Sequence, residues 1–421
     1  MHILKLSAYC YPEQESSSHL TDDLYEAFAE ADFYIENYVP MPTRGVSDEV
    51  RKIYKKKKDE ILYNGHVIIH RFSMFREGRN PVGRAIRYVL VNTIQYWKGT
   101  HAKGVDVVLS GSTPPTQGML CALVKKKLMK KYKRSVRMVF AIQDIFPDSM
   151  VTTGITHNES LLYKIGSRIS NFAYRSADQI ITISESMKRN LEEKGVPPEK
   201  IIVISNWIDA DKVKYVDKSE NTLFEEYSID RNKFIVVYAG NTGASQGASV
   251  IPSAARLLEK ETDIQFEIFG EGTEFSTIVR ECESLSNVSV HGLLPIERVS
   301  EVYSLGDIAL ITCRRGVGKA GLPSKTWSIM ACDTPIIASF DTDSDLEETL
   351  RSANAGECVA PEEPEALAEA IKKAYAKWKK GQYIKADTRS FVMQFADKKS
   401  CVSKYVETIN DFADNGSDYR K

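Results

Sequence analysis

Two α/β lobes, each built on a parallel sheet, are what this sequence predicts, and three observations carry the prediction. Apolar runs of strand length alternate with stretches of three- and four-residue apolar spacing, the pattern of repeated strand–helix units. The alternation halts near Ser205-Asn-Trp-Ile-Asp209 and restarts after a polar stretch, taken as a linker, at about 217–232. Charge divides at the same place: residues 1–206 carry 30 Lys and Arg against 22 Asp and Glu, and the remainder carries 26 against 35. A chain of 421 residues can hold two or three cores. The basic first lobe is expected to face an acidic partner.

Taken in order, Ile3 to Tyr9 reads as a buried strand, and the loop CYPEQESSS, with Ser16, Ser17 and Ser18, leads from it to a helix. That helix sets Leu20, Leu24, Phe28 and Ala31 on one face. Ligands collect at such strand ends in open α/β sheets. Phe33 to Val39 is a second strand, followed by an irregular insertion with the run Lys55-Lys-Lys-Lys58. Val67-Ile-Ile69 and Val105 to Leu109 are further strands, with a helix from about Val82 to Trp97 between them. The helix predicted over about 116–132 interleaves Met119, Leu120, Leu123, Val124 and Leu128 with Lys125, Lys126, Lys127, Lys130 and Lys131. A basic amphipathic stretch of this kind reads as a binder of a membrane surface or polyanion, the alternative being an ordinary core-packed helix with a solvated lysine face. Val136 to Ile142 is a strand that runs into Gln143-Asp-Ile-Phe-Pro-Asp148, and further strands follow at Ile180 to Ile183 and Ile201 to Ile204.

The second lobe opens with the strand Phe234 to Ala239 and the turn Gly240-Asn-Thr-Gly-Ala-Ser-Gln-Gly247. Ile264 to Phe269 closes on Gly270-Glu-Gly272, and Val288 to His291 closes on Gly292. Asp307 to Cys313 is then a buried strand and Ile336 to Ala338 the next. Between them Trp327, Met330 and Ala331 mark a helix with Ser324 as its N-cap, approached through Gly321-Leu-Pro323. Lys325 sits where a helix start disfavours a cation by roughly 0.3–1 kcal/mol. Arg314, Arg315 and Lys319 crowd the same loop. A bound anion would offset that cost, as backbone N–H groups at a helix start suit phosphate; a solvated basic loop fits the pattern alone as well. With the glycine turn at 240–247, two strand-end loops could hold a diphosphate between them.

Seven scattered cysteines without a Cys-x-x-Cys pair argue for a reducing compartment and against a zinc site. The N-terminus lacks the long apolar region of a signal peptide, and no run reaches the ~18–20 apolar residues of a membrane span. A cytosolic globular protein is expected. Asp341-Thr-Asp343 could be a metal-binding D-x-D, but reads better as a capped turn.

The run Tyr238-Ala-Gly-Asn-Thr-Gly243 with Gln246 and Gly247, then Gly270-Glu-Gly272, then Pro323-Ser-Lys325 with Met330, Ala331, Pro335 and Ile336, resembles family 4 retaining glycosyltransferases. The subset resembled builds bacterial capsules, exopolysaccharides and O-antigens. Gln143 to Asp148, Ser184-Glu-Ser186 and Asn206 to Asp209 resemble that subset's segments in the same order. The resemblance implies the GT-B architecture, with two Rossmann-like domains facing across a cleft. It makes 1–205 the acceptor-side domain, completed by a helix at about 391–421, and 206–390 the nucleotide-sugar domain. Gly240, Asn241, Thr242, Gly243 and Gln246 would then approach the donor diphosphate, with Gly270 and Gly272 beside them. Pro323, Ser324 and Lys325 would hold it from the other side. Gly292, Leu293 and Leu294 would edge the base, and Asp144 would lie near the transferred sugar.

Departures from the family pattern reassign other contacts. The paired glutamates usual eight positions apart correspond to Ala320 and Ser328. The Arg and Lys usual in the first glycine loop correspond to Asn241 and Gln246, and a usual glycine pair to Ser16-Ser-Ser18. Arg314 and Lys319 are therefore expected to join Lys325 as phosphate cations. The resulting reading is a metal-independent retaining glycosyltransferase that needs no cofactor. It would pass a sugar, an N-acetylated one from a UDP donor, to a lipid-linked saccharide at the cytoplasmic membrane face, with no nucleic acid involved. Catalysis would be mainly electrostatic. Two alternatives stand beside it. A UDP-sugar epimerase would give product without acceptor; an inactive nucleotide-sugar-binding partner of another transferase would bind without turnover.

Overall fold

The computed structural model describes the chain except residues 14–17, 79, 153–154, 319–320, 383–386 and 415–421. It divides into two compact units, Met1–Asn206 joined by the segment from Cys401, and Trp207–Ser400.

The first unit begins β1 (His2–Leu6), α1 (Ser18–Glu30), β2 (Tyr34–Pro40), α2 (Asp48–Lys56), β3 (Asp59–Leu62) and β4 (Val67–Phe72). It continues α3 (Pro81–Gly99), β5 (Val107–Gly111), α4 (Gln117–Tyr132), β6 (Arg137–Ile142) and α5 (Asp148–Thr152). α6 (Leu161–Ser176), β7 (Gln179–Thr182), α7 (Glu185–Glu193) and β8 (Ile201–Val203) follow. The sheet order is β3-β4-β2-β1-β5-β6-β7-β8, parallel except for β3 on β4. The order reverses between β1 and β5, where Ile3 pairs with Val107. Met138, Val139 and Val108 are fully buried in the sheet, and α4 seals it with Leu120, Val124 and Leu128.

The second unit runs α8 (Leu223–Glu226), β9 (Phe234–Asn241), α9 (Val250–Leu257), β10 (Ile264–Glu271), α10 (Phe275–Cys282), β11 (Val288–Gly292) and α11 (Val299–Leu305). Then come β12 (Ile308–Thr312), α12 (Lys325–Ala331), β13 (Ile336–Ser339), α13 (Asp345–Ser352), β14 (Gly356–Val359), α14 (Pro364–Lys379) and α15 (Arg389–Phe395). α16 (Lys398–Asp414) leads back into the first unit. All strands are parallel in the order β11-β10-β9-β12-β13-β14. Numbered within the unit this is 3-2-1-4-5-6, the doubly wound order whose ligand crevice lies where the order reverses. Here that point falls between β9 and β12, where Ile308 pairs with Val236.

Three expectations change. The stretch at 40–66 is not irregular: Ser47 caps α2 by accepting from Val50 N–H, and β3 pairs antiparallel with β4. The stretch at 217–232 is not a linker. Leu223 and Phe224 are buried in the unit core, Asn221 donates to the Glu301 carbonyl at 2.7 Å, and Lys218 pairs with Asp307 at 2.9 Å. Residues 391–400 stay with the second unit, as the Ile208–Asp397 bridge and the Arg389 bonds to the Ala210 and Val213 carbonyls hold them there.

Candidate functional site

β9 is buried from Phe234 to Ala239 and emerges from the core at Gly240 and Asn241, its last two residues. Its loop is locked to β10 by Thr242, which is fully buried and bonds the Glu271 carbonyl through N–H (2.7 Å) and hydroxyl (3.0 Å). Gly272 has φ +136°, and a Cβ there would come within 2.4 Å of Asn241 Oδ1. Gly270 pairs with Gly240 at the ends of β10 and β9. The chain then turns through Gly243, whose carbonyl accepts from Gln246 N–H at 3.0 Å. A Cβ on Gly247 would lie 2.8 Å from the Cys313 backbone, and Arg314 N–H donates to the Ser245 carbonyl at 2.9 Å. The loops after β9 and β12 therefore touch, as expected of loops flanking a switch point.

Lys325, the first residue of α12, reaches across this junction. Its ammonium lies 4.3 Å from the Tyr238 ring centre and 2.9 Å from where a Gly240 side chain would begin. Gly240, at φ +134°, is what leaves the passage open. The residue keeps some surface exposure, but its ammonium is enclosed, and burial lowers its pKa to about 8. Among the described residues no carboxylate pairs with it. An enclosed cation seated on an aromatic face has unspent attraction for an anion.

The other loop cations are placed differently. Arg314 faces Glu362 at 3.7 Å and Arg315 faces Glu363 at 2.8 Å. Lys319 lies outside the described residues, as does Ala320. Ser324 corrects an expectation: it precedes α12 in helical conformation and its hydroxyl makes no cap bond. With α12 only seven residues long, the lysine carries more of the site's charge than the helix end does. Pro323 precedes it, its carbonyl accepting from Thr326 N–H at 3.0 Å. Ser328 lies one turn beyond Lys325 on α12, half-buried.

Asp341 has a task that its D-x-D spacing did not suggest. It accepts from Gly316 N–H (2.9 Å) and Gly318 N–H (2.8 Å), which fixes the loop after β12. Gly292, Leu293 and Leu294 follow β11 at the sheet edge, with Leu293 exposed.

In the first unit Asp144 follows β6, and neighbouring Gln143 N–H donates to Ser112 Oγ after β5 at 3.0 Å. The residue is exposed by surface area, yet its carboxyl is partly shielded. Loss of water contact pushes its pKa up; Ser149 opposes this by hydrogen bonding, the Asp148 charge adds to it, and Ile145 N–H opposes it. Asp148 itself is held below its usual value despite burial, by Lys194 at 2.7 Å, Asn190 and Tyr163. Ser16 and Ser17 lie outside the described residues; Ser18 begins α1.

The sequence reading brought Lys325, Gly240 and Gly247 to one junction. It missed Tyr238 as the ring beneath the ammonium, because a continuously buried strand gives no sign of which of its residues meets a distant lysine. It also missed Asp341 as the loop anchor.

Residues 20–212 match the model "Glycosyltransferase Family 4", and residues 219–391 match "Glycosyl transferases group 1". The probable glycosyltransferase WbjE of Pseudomonas aeruginosa is 28% identical over 65% of this chain and 66% of its own length. The putative colanic acid biosynthesis glycosyl transferase WcaI of Escherichia coli K12 is 26% identical over 65% and 67%. The match thus spans about two thirds of each relative. Among solved structures, Anabaena HepE in complex with UDP superposes with a TM-score of 0.69 at 14% identity, covering 98% of this chain and all of the other.

Proposed function

The chain is a glycosyltransferase of GT-B fold, with a family 4 domain followed by a group 1 domain, and from that premise we propose that it passes a sugar from a UDP donor, with retention, to a lipid-linked saccharide in polysaccharide assembly. The observation that carries the donor half is Lys325: an enclosed ammonium at the switch point, with no acidic partner among the described residues, between two loops in contact. In this reading Lys325 and the N–H groups of the 240–247 turn stabilise the leaving diphosphate, where negative charge develops. Asp144 is the proposed catalytic carboxylate, orienting an acceptor hydroxyl or stabilising positive charge on the sugar ring. UDP as the nucleotide follows the UDP-bound neighbour, and polysaccharide assembly follows the names of the relatives. An N-acetylated sugar is part of the same proposal.

Metal independence is supported by Asp341, whose oxygens are taken by Gly316 and Gly318 N–H groups. No helix is long and apolar enough to cross a membrane among the described residues. Peripheral attachment through the first unit, at the cytoplasmic membrane face, is proposed instead. α4 buries one side and exposes Lys126, Lys127 and Lys130, while Lys125 and Lys131 are engaged with Asp178 and the Thr100 carbonyl. Packed beside it, α3 exposes Val82, Ile86, Val89, Leu90 and Trp97.

The donor reading is tested by thermal melting with UDP in EDTA. Ligand linkage predicts a stabilisation of about 2.7 kcal/mol at a hundredfold excess over Kd. A shift that appears only with a divalent cation would sink the metal-free form. Mass-spectrometric screening of UDP-sugars with lipid extracts then reads out transfer.

A further inference from the structure

The strand-end edge of the first unit holds a second concentration of positive charge, drawn from four separate segments. Glu77, after β4, has a side chain only 7% exposed. Around it stand Arg44 (3.2 Å), Arg84 (2.9 Å) and Arg87 (3.8 Å), with the Tyr9 hydroxyl donating at 2.9 Å. Tyr9 and Tyr88 hydroxyls are 2.8 Å apart, and Arg44 stacks over the Tyr9 ring at 3.9 Å. Among the described residues three guanidinium groups thus meet this carboxylate. Arg87 is fully buried, donates Nε to the Phe75 carbonyl at 3.2 Å, and leaves both terminal nitrogens without a hydrogen-bond acceptor among the described residues. Burying charge and donors without partners is unfavourable unless something offsets it.

Holding the loops together does not require this surplus. Glu13 already ties β1's loop to β2's, accepting from Cys10, Thr43 and Arg44 N–H groups at 2.8–3.2 Å. Arg51 donates to the Pro42 and Met74 carbonyls, and Arg76 bonds the Val46 carbonyl and Asp48. The loops that carry Arg44 and Glu77 are therefore braced from behind by other residues. Arg44 and Arg84 keep 33% and 43% of their side chains exposed, so an anion can reach them while Arg87 adds charge beneath. Planar guanidinium forks and phenol donors suit the several oxygens of a phosphate.

We propose that Arg44, Arg84 and Arg87, with Tyr9 and Tyr88 around Glu77, form an anion site for the phosphate or diphosphate group of the acceptor. This rests on the reading of the first unit as the acceptor side. The group could belong to a lipid carrier or to a free phosphorylated compound; the shared chemistry is the phosphate.

The test titrates the full chain, saturated with UDP so that the Lys325 site is filled, with inorganic pyrophosphate and separately with farnesyl diphosphate. Calorimetry should show one further site. Arg84→Gln and Arg44→Gln should each weaken it by ~10- to 100-fold, the loss expected for a charged hydrogen bond, with UDP affinity and melting temperature nearly unaltered. Tighter binding of farnesyl diphosphate upholds the site and assigns it to a lipid-carried group; equal or weaker binding upholds it for a free anion. Absence of binding by both probes overturns the proposal. So does unchanged pyrophosphate affinity in both variants, and a lower melting temperature with it would make the arginines braces. Failure of UDP to bind in the first step would instead count against the donor reading, and pyrophosphate binding lost on Arg84→Gln would still report on this site.

Discussion

At the end of β9 one ammonium stands with no acid beside it among the described residues, seated on a tyrosine ring and let through by a glycine. At the ends of β1, β2 and β4 three guanidinium groups crowd one carboxylate and two phenols. The first arrangement leaves its whole charge for a ligand and makes that charge titratable, since burial brings Lys325 to about 8. The second keeps arginine, which stays protonated at any working pH, and satisfies part of its charge in place. A single lysine suits a tight grip on a group that must also leave. A partly compensated arginine set suits holding a group that takes no part in the chemistry.

Under the proposed function donor and acceptor work fall to different edges, and Asp144→Asn tests that division with the largest effect. It keeps the shape and removes the charge at the end of β6. Turnover should fall ~10²–10³-fold with UDP affinity nearly unchanged. Near-normal kcat would remove Asp144 from the chemistry, and a matching loss of UDP affinity would break the division between the edges.

Lys325→Ala should weaken UDP by ~10- to 100-fold while sparing uridine, which lacks the phosphates. Equal losses would make the lysine a packing element. The pH profile sharpens the contrast. Above about 8 the free enzyme loses the Lys325 proton, so UDP affinity should fall roughly tenfold per pH unit there, while pyrophosphate at the arginines stays level. Stability runs the other way. The unfolded chain holds this proton up to its ordinary value of 10.5, so the folded state bears the cost of an enclosed charge below about pH 8 and gains relative stability from there to 10.5. A UDP titration that is flat from pH 7 to 9.5 would contradict the enclosed ammonium.

The smallest effect concerns the outer face of the first unit. Lys126→Gln should lower binding to anionic vesicles about fivefold at low salt, as each cation near such a surface contributes ~1 kcal/mol. Sedimentation with vesicles that is unchanged by this variant, and by Val89→Ser on α3, would leave both helices as plain packing.

Most of the fold was legible because parallel strands buried on both faces are continuous apolar runs, as Phe234 to Ala239 and Met138 to Ile142 show. Short elements whose apolar residues are few escaped. β3 presents only Glu60 inward, paired with buried Arg71 at 2.8 Å, and no local pattern announces a buried ion pair. Leu223 and Phe224 were hidden among charges at 217–232. At the proposed donor site, Lys325 and the glycines could be found because their positions after strands are sequence facts. The arginine cluster could not, since Tyr9, Arg44, Glu77 and Arg84 share no spacing and meet only through the strand order β4-β2-β1.

The return of the chain to the first unit at Cys401 bears on how the protein is made. Cys401, Val402, Tyr405 and Ile409 are buried, and Arg137 of β6 lies 5.8 Å from the Phe412 ring. A ribosome delivers 1–206 first, but those residues wait for 401–414 before their surface is covered, whereas 207–400 is complete as soon as it emerges. Nascent first units therefore carry an open apolar seam through nearly half of translation, the stage at which chaperones or aggregation compete. A recombinant first unit cut at 206 inherits the same seam permanently, and grafting 401–414 back through a flexible linker is the natural repair.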